Sequence, residues 1–394
     1  GGGIGLRPRW LFWKGSDPVR NKRFSLAQLL LAIALTAAAV LGCGLLAVRA
    51  WMGEGGRSLV EGLRLVNTLF VGEYDETEVV DAALEGMVSG LGDRWSYYLT
   101  ADELEAQNQR RTNQYVGVGI TVNHTREEGL YILAVEAGGP AEAAGLEAGE
   151  VITAVDGVSL AGEARYEGAN LIQGEAGTTV TLEVLGEDGA ARTVEVERAE
   201  LETDPVESRM LEGKVGYVRL LNFYDHSAQR LEEAVTQLQE QGAEALVFDM
   251  RDNGGGYLSQ LTDMLDFLLP EGPIFISRDR AGHEEITNSD ADCVELPMAV
   301  LVNANTYSAA EFFAAELQEQ GAAVIVGEPT SGKGYSQQTF PLPHGGAVAI
   351  STGAYFTGSG ASLIGTGLNL DAEVYNTGAE DTQLAAALEL LKIR

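Results

Sequence analysis

Cysteine and histidine are both scarce in this chain of 394 residues, which contains two cysteines and four histidines. Cys43 falls in a long apolar segment, so Cys293 has no partner for an intramolecular disulfide in the rest of the chain. The histidines are widely scattered and form no Cys/His cluster with the spacing of metal ligands. We therefore expect no disulfide framework, no metal site and no cofactor.

Positive charge is also scarce. The chain has 26 lysines and arginines against 58 aspartates and glutamates, which gives a net charge of −32 at pH 7. Such a surface repels the phosphates of nucleic acids and the headgroups of anionic lipids. We therefore expect no nucleic-acid partner, and we interpret the acidic excess as a solubility adaptation.

Charge is absent altogether between Arg23 and Arg49. Residues 26–48 form an apolar run longer than the ~20 residues that span a bilayer as a helix. Basic residues dominate segment 1–25, which predicts a cytoplasmic N-terminus, a single-pass anchor in the cell membrane and an extracytoplasmic remainder. Two alternatives stay open: a cleaved signal peptide, and a lipoprotein signal with its lipid on Cys43.

The remaining chain divides into segments of different pattern. Residues 49–57 are glycine-rich and predict a flexible linker. Apolar residues at three- and four-residue spacing predict that 58–112 is a helical region, with the stripe packed in a core. Short strands and glycine turns over 113–200 predict a β-rich module, and alternating strands and helices over 201–394 predict an α/β layer with much parallel pairing.

The first segment that could carry chemistry is 249–257 (DMRDNGGGY), which follows a predicted buried strand. Three consecutive glycines permit backbone geometry that other residues avoid. Free N–H groups in such a turn can face a developing oxyanion. A simple tight turn is the alternative interpretation.

The second is Ser308, which lies where a loop becomes a helix. A helix N-terminus offers unpaired N–H groups and partial positive charge, which stabilise negative charge on a substrate. Serine is also a favoured helix cap, so this segment alone leaves both interpretations open.

The third is Lys333 in residues 326–334 (VGEPTSGKG), which nearly matches a phosphate-binding loop. The match fails at Gly334, where serine or threonine would bind magnesium, and a strand-like segment follows instead of a helix. Glycines on both sides of Lys333 allow other groups to pack around it, and a desolvated lysine can act as a base near neutral pH. A solvated loop lysine is the alternative.

A Ser–Lys pair needs no histidine. Histidine is nevertheless the usual partner of a catalytic serine, and His226, His283 and His344 remain candidates for that role.

Together, these segments resemble the motifs of the carboxy-terminal processing proteases, also called tail-specific proteases, and the resemblance covers about residues 60–377. Residues 305–311 (NTYSAAE) resemble the motif T-A-S-A-S-E, and 327–337 (GEPTSGKGYSQ) resemble G-E-x-T-x-G-K-G-x-x-Q. Residues 249–258 resemble D-x-R-x-N-x-G-G-x-L.

The resemblance implies a role for each matching residue. The resemblance implies that Ser308 is the nucleophile, that Lys333 is the general base and that the Gln337 side chain orients the lysine. The backbone N–H groups of Gly255 and Ala309 are implied to form the oxyanion hole.

The β-rich module resembles the PDZ domain of these enzymes, and residues 91–99 resemble the segment that precedes it. The resemblance implies a loop that binds a substrate's C-terminal carboxylate, with the tail added to the sheet as a strand. The loop residues are Gly117, Val118, Gly119 and Ile120.

The implied fold is α/β, with a crotonase-like or ClpP-like layered protease core, an inserted PDZ domain and an N-terminal transmembrane helix. The implied function is a serine endopeptidase that recognises apolar C-termini and cleaves exported proteins through an acyl-enzyme. The alternatives are an inactive PDZ scaffold that binds C-terminal peptides, a histidine-dependent hydrolase and a nucleotide-binding protein. A homo-oligomer or an activating adaptor is left open.

The sequence departs from the family pattern at several positions. Ala310 replaces the second serine of the nucleophile motif, and Gly254 replaces a proline. Gln173 stands where many family members carry an arginine that couples the bound peptide to activation, so that coupling is in doubt here. Segment 365–371 lacks the family's proline before aspartate.

Overall fold

The computed structural model describes residues 25–378 and 380–392, so the predicted cytoplasmic segment 1–25 lies outside the described residues except for Ser25. The chain divides after Asp75 into two compact units, and each is described by itself.

The first unit is dominated by α1 (Leu26–Leu69), which contains the predicted apolar run. Ser25 and Gln28 form a capping box at its start. The predicted linker 49–57 is helical on both sides of Gly53, whose φ of 62° and ψ of −166° interrupt the helix. The expectation of a flexible linker was therefore wrong, because helical hydrogen bonding resumes after one glycine. Within the described residues, α1 is the one helix long and apolar enough to cross a membrane.

The second unit begins with a short mixed segment rather than the predicted all-helical region. Its elements are α2 (Glu76–Ser89), β1 (Tyr97–Leu99) and α3 (Ala101–Arg111). In the apolar stripe of α2, Val88 is buried, whereas Met87 is 48% exposed. Only part of the predicted apolar stripe is therefore buried in a core.

The β-rich module follows. Its elements are β2 (Gln114–Gly117), β3 (Ile120–Arg126), β4 (Gly129–Val135), α4 (Pro140–Ala143), β5 (Val151–Val155), β6 (Val158–Ser159), a 3-10 helix (Gly162–Glu167), α5 (Gly168–Ile172), β7 (Thr179–Leu185), β8 (Ala191–Glu197) and β9 (Ala199–Glu202). The sheet order is β3-β4-β5-β7-β8, with β6 on β5, and β2 pairs with β9. The predicted strand over 115–122 is broken because the chain turns at Gly119, where φ is 80°.

The α/β region contains two further sheets. Its elements are β10 (Val206–Leu211), β11 (Val215–Leu220), α6 (Ser227–Glu240), β12 (Ala245–Asp249), α7 (Leu258–Leu268), β13 (Gly272–Asp279), β14 (Glu284–Ser289), β15 (Met298–Val302), α8 (Ala309–Glu319), β16 (Ala323–Gly327), β17 (Tyr335–Pro341), β18 (Ala347–Phe356), β19 (Ala372–Glu373) and α9 (Thr382–Leu391). One sheet has the order β10-β11-β12-β15-β16-β19 and is parallel from β11 onward, which confirms the prediction of parallel pairing.

This mostly parallel sheet is covered on both faces, as the βα alternation requires. Leu246 and Phe248 of β12 face the core that contains α6, α7 and α8. Val247 faces the opposite core, together with Ala387 and Leu391 of α9. The runs of buried residues in β12, β15 and β16 follow from this two-sided burial.

The other sheet is antiparallel and was not predicted as a unit. It has the order β1-β18-β13-β14, and β17 pairs with β18. Helix α8 touches both sheets, because Phe312 lies 5.4 Å from Phe275 of β13 and Phe313 lies 5.3 Å from Phe248 of β12. The helix that follows Ser308 is therefore held between two sheets.

A buried carboxyl group interrupts this apolar packing. Glu316 of α8 is fully buried, and its Oε1 accepts a hydrogen bond from Gly358 N at 2.6 Å. Its Oε2 has no hydrogen-bond partner among the residues that the structure describes. Burial raises the pKa of the Glu316 carboxyl to about 8, so the group is mostly protonated at neutral pH.

We predict that Glu316 makes folding stability fall as pH rises. The unfolded carboxyl ionises near its ordinary pKa of 4.5 and the folded one only near 8, so the native state binds the extra proton between these values. The free energy of unfolding should therefore drop across this window by at most ~1.4 kcal/mol per pH unit.

Urea unfolding of the parent and of Glu316→Gln, from about pH 6 to about pH 9, tests this prediction. The stability advantage of the glutamine variant should grow with pH and level off above about pH 8. Parallel curves for the two proteins would contradict it.

Candidate active site

Ser308 has an unusual backbone conformation. It precedes α8 with a φ of 60° and a ψ of −128°, a region that costs a non-glycine residue about 1–3 kcal/mol. The carbonyl of Ser308 accepts hydrogen bonds from Glu311 N and Phe312 N, which begin the helix. The strained turn places the half-buried serine directly at the positive end of a buried helix.

The side chain of Glu311 connects this serine to the lysine loop. Its Oε2 accepts hydrogen bonds from Ser308 N at 3.1 Å and from Lys333 N at 2.9 Å. Its Oε1 accepts from Gly332 N at 2.8 Å and from the Thr330 hydroxyl at 2.6 Å. Glu311 is fully buried, so these four donors are what satisfies its carboxylate.

Gly255 lies directly against the serine. Its φ is 81°, and a Cβ at this position would lie 2.8 Å from Ala309 N and 3.0 Å from Ser308 Cβ. Only glycine fits this close approach. The Gly255 N–H, however, donates to Asn253 Oδ1 at 2.8 Å. Of the two N–H groups expected in the oxyanion hole, only that of Ala309 lacks an acceptor among the described residues.

Lys333 is half-buried in the loop that Glu311 connects to Ser308. Glycines flank it, and a Cβ at Gly332 would lie 2.9 Å from the backbone N of Gly365. The Lys333 ammonium lies over Trp95, 4.8 Å from the ring centroid, and 5.7 Å from the ring of Tyr307. Aromatic faces attract a cation at such distances. No hydrogen bond joins Lys333 Nζ to Ser308 Oγ in this structure, although Glu311 connects the backbones of the two residues.

The environment of Lys333 nevertheless favours its neutral form. Burial, which removes water from the ammonium, and to a lesser extent the positive charge of Arg111 lower the pKa of Lys333 to about 8. The carboxylates of Asp93 and Glu311 act in the opposite direction. A lysine with such a pKa is partly neutral at physiological pH and can accept a proton.

Gln337 forms no hydrogen bond with Lys333. Its Nε2 donates to Tyr335 O at 2.9 Å and to the hydroxyl of Ser351 at 3.1 Å. The expected hydrogen bond to Lys333 is absent because β17 directs this amide toward β18.

The candidate histidines have other partners. His344 Nε2 lies 2.7 Å from the Tyr98 hydroxyl and 3.2 Å from Asp81. His283 lies 2.9 Å from Asp279 in an exposed hairpin, and His226 precedes α6 with a φ of 65°. No contact joins any of the three to Ser308 in the part of the chain that the structure describes.

The predicted carboxylate-binding loop connects β2 to β3. The carbonyl of Val118 accepts from Ala141 N at 2.8 Å, and that of Gly119 accepts from Glu136 N at 2.9 Å. The N–H groups of Val118 and Gly119 donate to no described residue. Strand β3 is the edge strand of its sheet: it pairs with β4 on one side, and no described strand pairs with its other side.

Sequence reasoning missed the residues that hold the site together. Glu311 had a detectable signal, because serine followed three residues later by glutamate predicts a capping box. Trp95, Tyr307 and Arg111 had no such signal, because their proximity to Lys333 arises only from tertiary packing.

Comparison with known proteins identifies two families of domain. The model of peptidase family S41 matches residues 214–374, and a PDZ-domain model matches residues 131–186. A solved Bacteroides fragilis protein assigned to the S41 proteases is similar with a TM-score of 0.53 at 20% identity, over 82% of this chain and 92% of that chain. The chain therefore has the S41 peptidase fold with a PDZ domain, and it is a serine-type peptidase.

Two relatives identify the family within the S41 peptidases more closely. The carboxyl-terminal-processing protease of Picosynechococcus sp. is 33% identical over 323 residues, which are 78% of this chain and 78% of that protein. The chloroplastic C-terminal processing peptidase of Tetradesmus obliquus is 30% identical over 321 residues, 76% of this chain and 69% of that protein. The chain belongs to the carboxyl-terminal processing proteases.

We predict that Glu311→Gln destabilises the protein by about 2–4 kcal/mol. The amide would turn one N–H group toward buried N–H donors and leave at least one of them unsatisfied. Denaturant unfolding monitored by fluorescence measures the change.

Glu319→Gln is the matched control on the same helix. Glu319 is exposed and accepts one hydrogen bond, from Thr357, so its loss should cost less than about 0.5 kcal/mol. Equal destabilisation by the two substitutions would show that Glu311 does not hold the loops together.

Proposed function

We propose that the chain is an endopeptidase in which Ser308 attacks the substrate and Lys333 serves as general base. The observation that carries this proposal is the strained serine at the start of α8, tied through Glu311 to a desolvated lysine. Strain in a non-glycine residue is retained where function requires it. Nothing in the comparisons or in the described residues favours an inactive scaffold.

In the proposed reaction, neutral Lys333 removes the proton of the Ser308 hydroxyl as Ser308 Oγ attacks the peptide carbonyl. The lysine then gives that proton to the leaving amine, and an acyl-enzyme forms. Water activated by the same lysine hydrolyses the ester and regenerates Ser308. The N–H of Ala309 stabilises the oxyanion, and the partial positive charge of the α8 N-terminus assists it.

We propose that this structure represents a resting arrangement of the site. Lys333 Nζ would have to leave the faces of Trp95 and Tyr307 to reach Ser308. For Gly255 to act as the second donor, its N–H must exchange Asn253 for the oxyanion. Hydrogen bonds of catalytic groups often form only in the complex with substrate. Gln337 would orient the lysine only after a similar change of partner.

The PDZ domain is proposed to bind the substrate's C-terminus at residues 117–120. Two free N–H groups in this loop suit a carboxylate, and the unpaired edge of β3 suits an added strand. Farther along β3, the His124 carbonyl accepts from Arg165 at 3.0 Å. A bound tail would therefore pair only with residues before His124, so the domain would read only the last few residues, which we expect to be apolar.

The domain limits and location follow as proposals. We place an N-terminal region at 58–112 that is mostly helical but contains β1, the PDZ domain at 113–200 and a crotonase-like or ClpP-like layered core at 201–394. The apolar run 26–48 of α1 would anchor the chain in the membrane with the protease outside, and a cleaved signal or a lipoprotein at Cys43 are the alternatives. Substrates would be exported proteins or peptides. Activation by a homo-oligomer or by an adaptor protein is left open.

We predict that Ser308→Ala and Lys333→Ala each lower kcat/KM by at least about a thousandfold, because each removes a group that acts in the chemical step. The measurement is cleavage of an unfolded protein with an apolar C-terminus by the full chain in detergent. Lys214→Ala is the control, since Lys214 is exposed and pairs with Glu244. Turnover by Ser308→Ala at the parental rate would disprove the assignment.

A stability measurement supplements this test. Ser308→Gly should be inactive yet more stable than Ser308→Ala by about 1 kcal/mol, because glycine adopts the positive φ without strain.

We also predict that tail recognition needs the free carboxylate. Ser308→Ala protein should bind a peptide with an apolar C-terminus at least about tenfold more tightly than the same peptide amide, the equivalent of one charge-assisted hydrogen bond. Gly119→Ala should weaken binding, because Gly119 has a φ of 80° that alanine rarely adopts, so the substitution would distort the binding loop.

Gly189→Ala is the control for this substitution. Its φ is 79°, and it lies in the β7–β8 hairpin with nothing near its Cβ position. Equal affinity for acid and amide, or equal effects of the two alanine substitutions, would argue against binding at residues 117–120.

A further inference from the structure

One arginine of the PDZ domain lies at the far end of the proposed tail-binding strand edge. Arg165 belongs to the 3-10 helix Gly162–Glu167, and its Nε donates to the carbonyl of His124 on β3 at 3.0 Å. The ring of Tyr166 lies against the same residue, with the two ring centroids 5.0 Å apart. The 3-10 helix therefore contacts β3 at His124 and ends the stretch of β3 that an added strand could use.

The guanidinium of Arg165 is held in place but is only partly satisfied. Besides the His124 carbonyl, it donates to the carbonyl of Gly162 and to the Tyr166 hydroxyl at 3.1 Å. Its central carbon lies 4.6 Å from the Tyr166 ring centroid, so the group also stacks on that ring. A guanidinium has five N–H groups. Three of them donate to these neutral acceptors, so two have no acceptor among the described residues.

No ion pair neutralises Arg165 within the part of the chain that the structure describes. The chain carries 58 acidic residues, and Glu163 and Glu167 flank this arginine in the 3-10 helix, yet neither forms an ion pair with it. Arg192 of the same domain, by contrast, pairs with Glu150 at 2.7 Å. Arg165 is half-buried, and its two unused N–H groups suit a carboxylate from outside the chain.

The direction of a bound tail follows from the two ends of this edge. Residues 117–120 would hold the terminal carboxylate at the start of β3, so the tail would run antiparallel to β3 and its earlier residues would lie nearer to His124. In antiparallel pairing, one tail residue lies opposite each residue of the strand, and β3 advances about four residues from Ile120 to His124. The tail residue that reaches Arg165 is therefore about four positions before the C-terminus.

The two ends of this edge also differ in polarity. Ile120 and Val122 pack against the apolar core of the domain, which suits the apolar last residues that we propose for the tail. His124 follows them at the same two-residue spacing, and its buried Nδ1 has no hydrogen-bond partner among the described residues. The far end of the edge, with Arg165, therefore suits a polar tail residue.

We propose that Arg165 is a specificity-determining residue that selects substrates with an aspartate or a glutamate about four positions before an apolar C-terminus. The carboxylate would accept hydrogen bonds from the unused guanidinium N–H groups and form an ion pair with Arg165. The proposal rests on the proposed binding of the tail at residues 117–120. Because the chain has a net charge of −32 and repels acidic peptides in general, a local arginine would decide which acidic tails bind.

The test measures the affinity of fluorescein-labelled peptides for the full chain carrying Ser308→Ala, in detergent, by fluorescence anisotropy. Three peptides have the same apolar C-terminus and differ only in the residue four positions before it, which is glutamate, glutamine or lysine. The glutamate peptide should bind about tenfold more tightly than the glutamine peptide, the effect of one charge-assisted hydrogen bond, and the lysine peptide should bind most weakly. Equal binding of the glutamate and glutamine peptides would overturn the proposal.

Substitution of Arg165 then tests the residue itself. Arg165→Gln should bind the glutamate and glutamine peptides equally, because it removes the charge. Arg165→Glu should prefer the lysine peptide, a reversal that a misfolded domain would not show. A glutamate preference that survives in Arg165→Gln, or the absence of any reversal in Arg165→Glu, would overturn the role of Arg165.

Arg126→Gln is the matched control. Arg126 ends β3, is exposed and lies 5.5 Å from the ring of Tyr131, so it carries the same charge two residues beyond His124. This variant should keep the parental preference for the glutamate peptide. An equal loss of preference in Arg126→Gln and Arg165→Gln would show that only the overall charge of the domain matters and would overturn the proposal.

The same peptides distinguish failure of this proposal from failure of the proposed tail binding. If tails do not bind at residues 117–120, the acid and amide forms of the glutamate peptide bind equally and Gly119→Ala has no specific effect. If only the role of Arg165 is wrong, the free carboxylate is still required, but the glutamate and glutamine peptides bind alike.

Discussion

The buried carboxylate of Glu311 is the interaction on which the arrangement of the site depends. One of its oxygens accepts hydrogen bonds from the backbone N–H groups of both Ser308 and Lys333. This shared acceptor holds the two loops next to each other. A buried carboxylate is tolerable only with its hydrogen bonds made, which ties the order of the lysine loop to the start of α8. Its place in the first turn of that helix also suits the helix dipole.

The same carboxylate works against the role that we propose for Lys333. Its negative charge, with that of Asp93, favours protonated Lys333, whereas the proposed general base must be neutral. Burial offsets this preference, and so does the positive charge of Arg111. The site is therefore balanced near neutrality, where modest changes in burial or charge alter the fraction of active lysine.

The backbone of the site is already assembled, whereas its side chains are not. Ser308 is held in its strained turn, but Lys333 rests on Trp95, and the Gly255 N–H is bound to Asn253. In the mechanism that we propose, Lys333 would leave Trp95 and the Gly255 N–H would exchange Asn253 for the oxyanion.

Local pattern alone determined much of this protein. The uncharged run 26–48, the buried strands of the parallel sheet, the glycine turn 254–256 and the glycines on both sides of Lys333 follow from the spacing of neighbouring residues. The antiparallel sheet was missed because it pairs β1 with β18, about 250 residues apart, and its half-exposed strands have little alternation. Tertiary structure alone decided that Glu311 joins two loops, that Gln337 donates to Ser351 and that the Lys333 ammonium lies over Trp95. Sequence spacing specifies which backbone turns form, but the partner of a long side chain depends on which distant segment packs beside it.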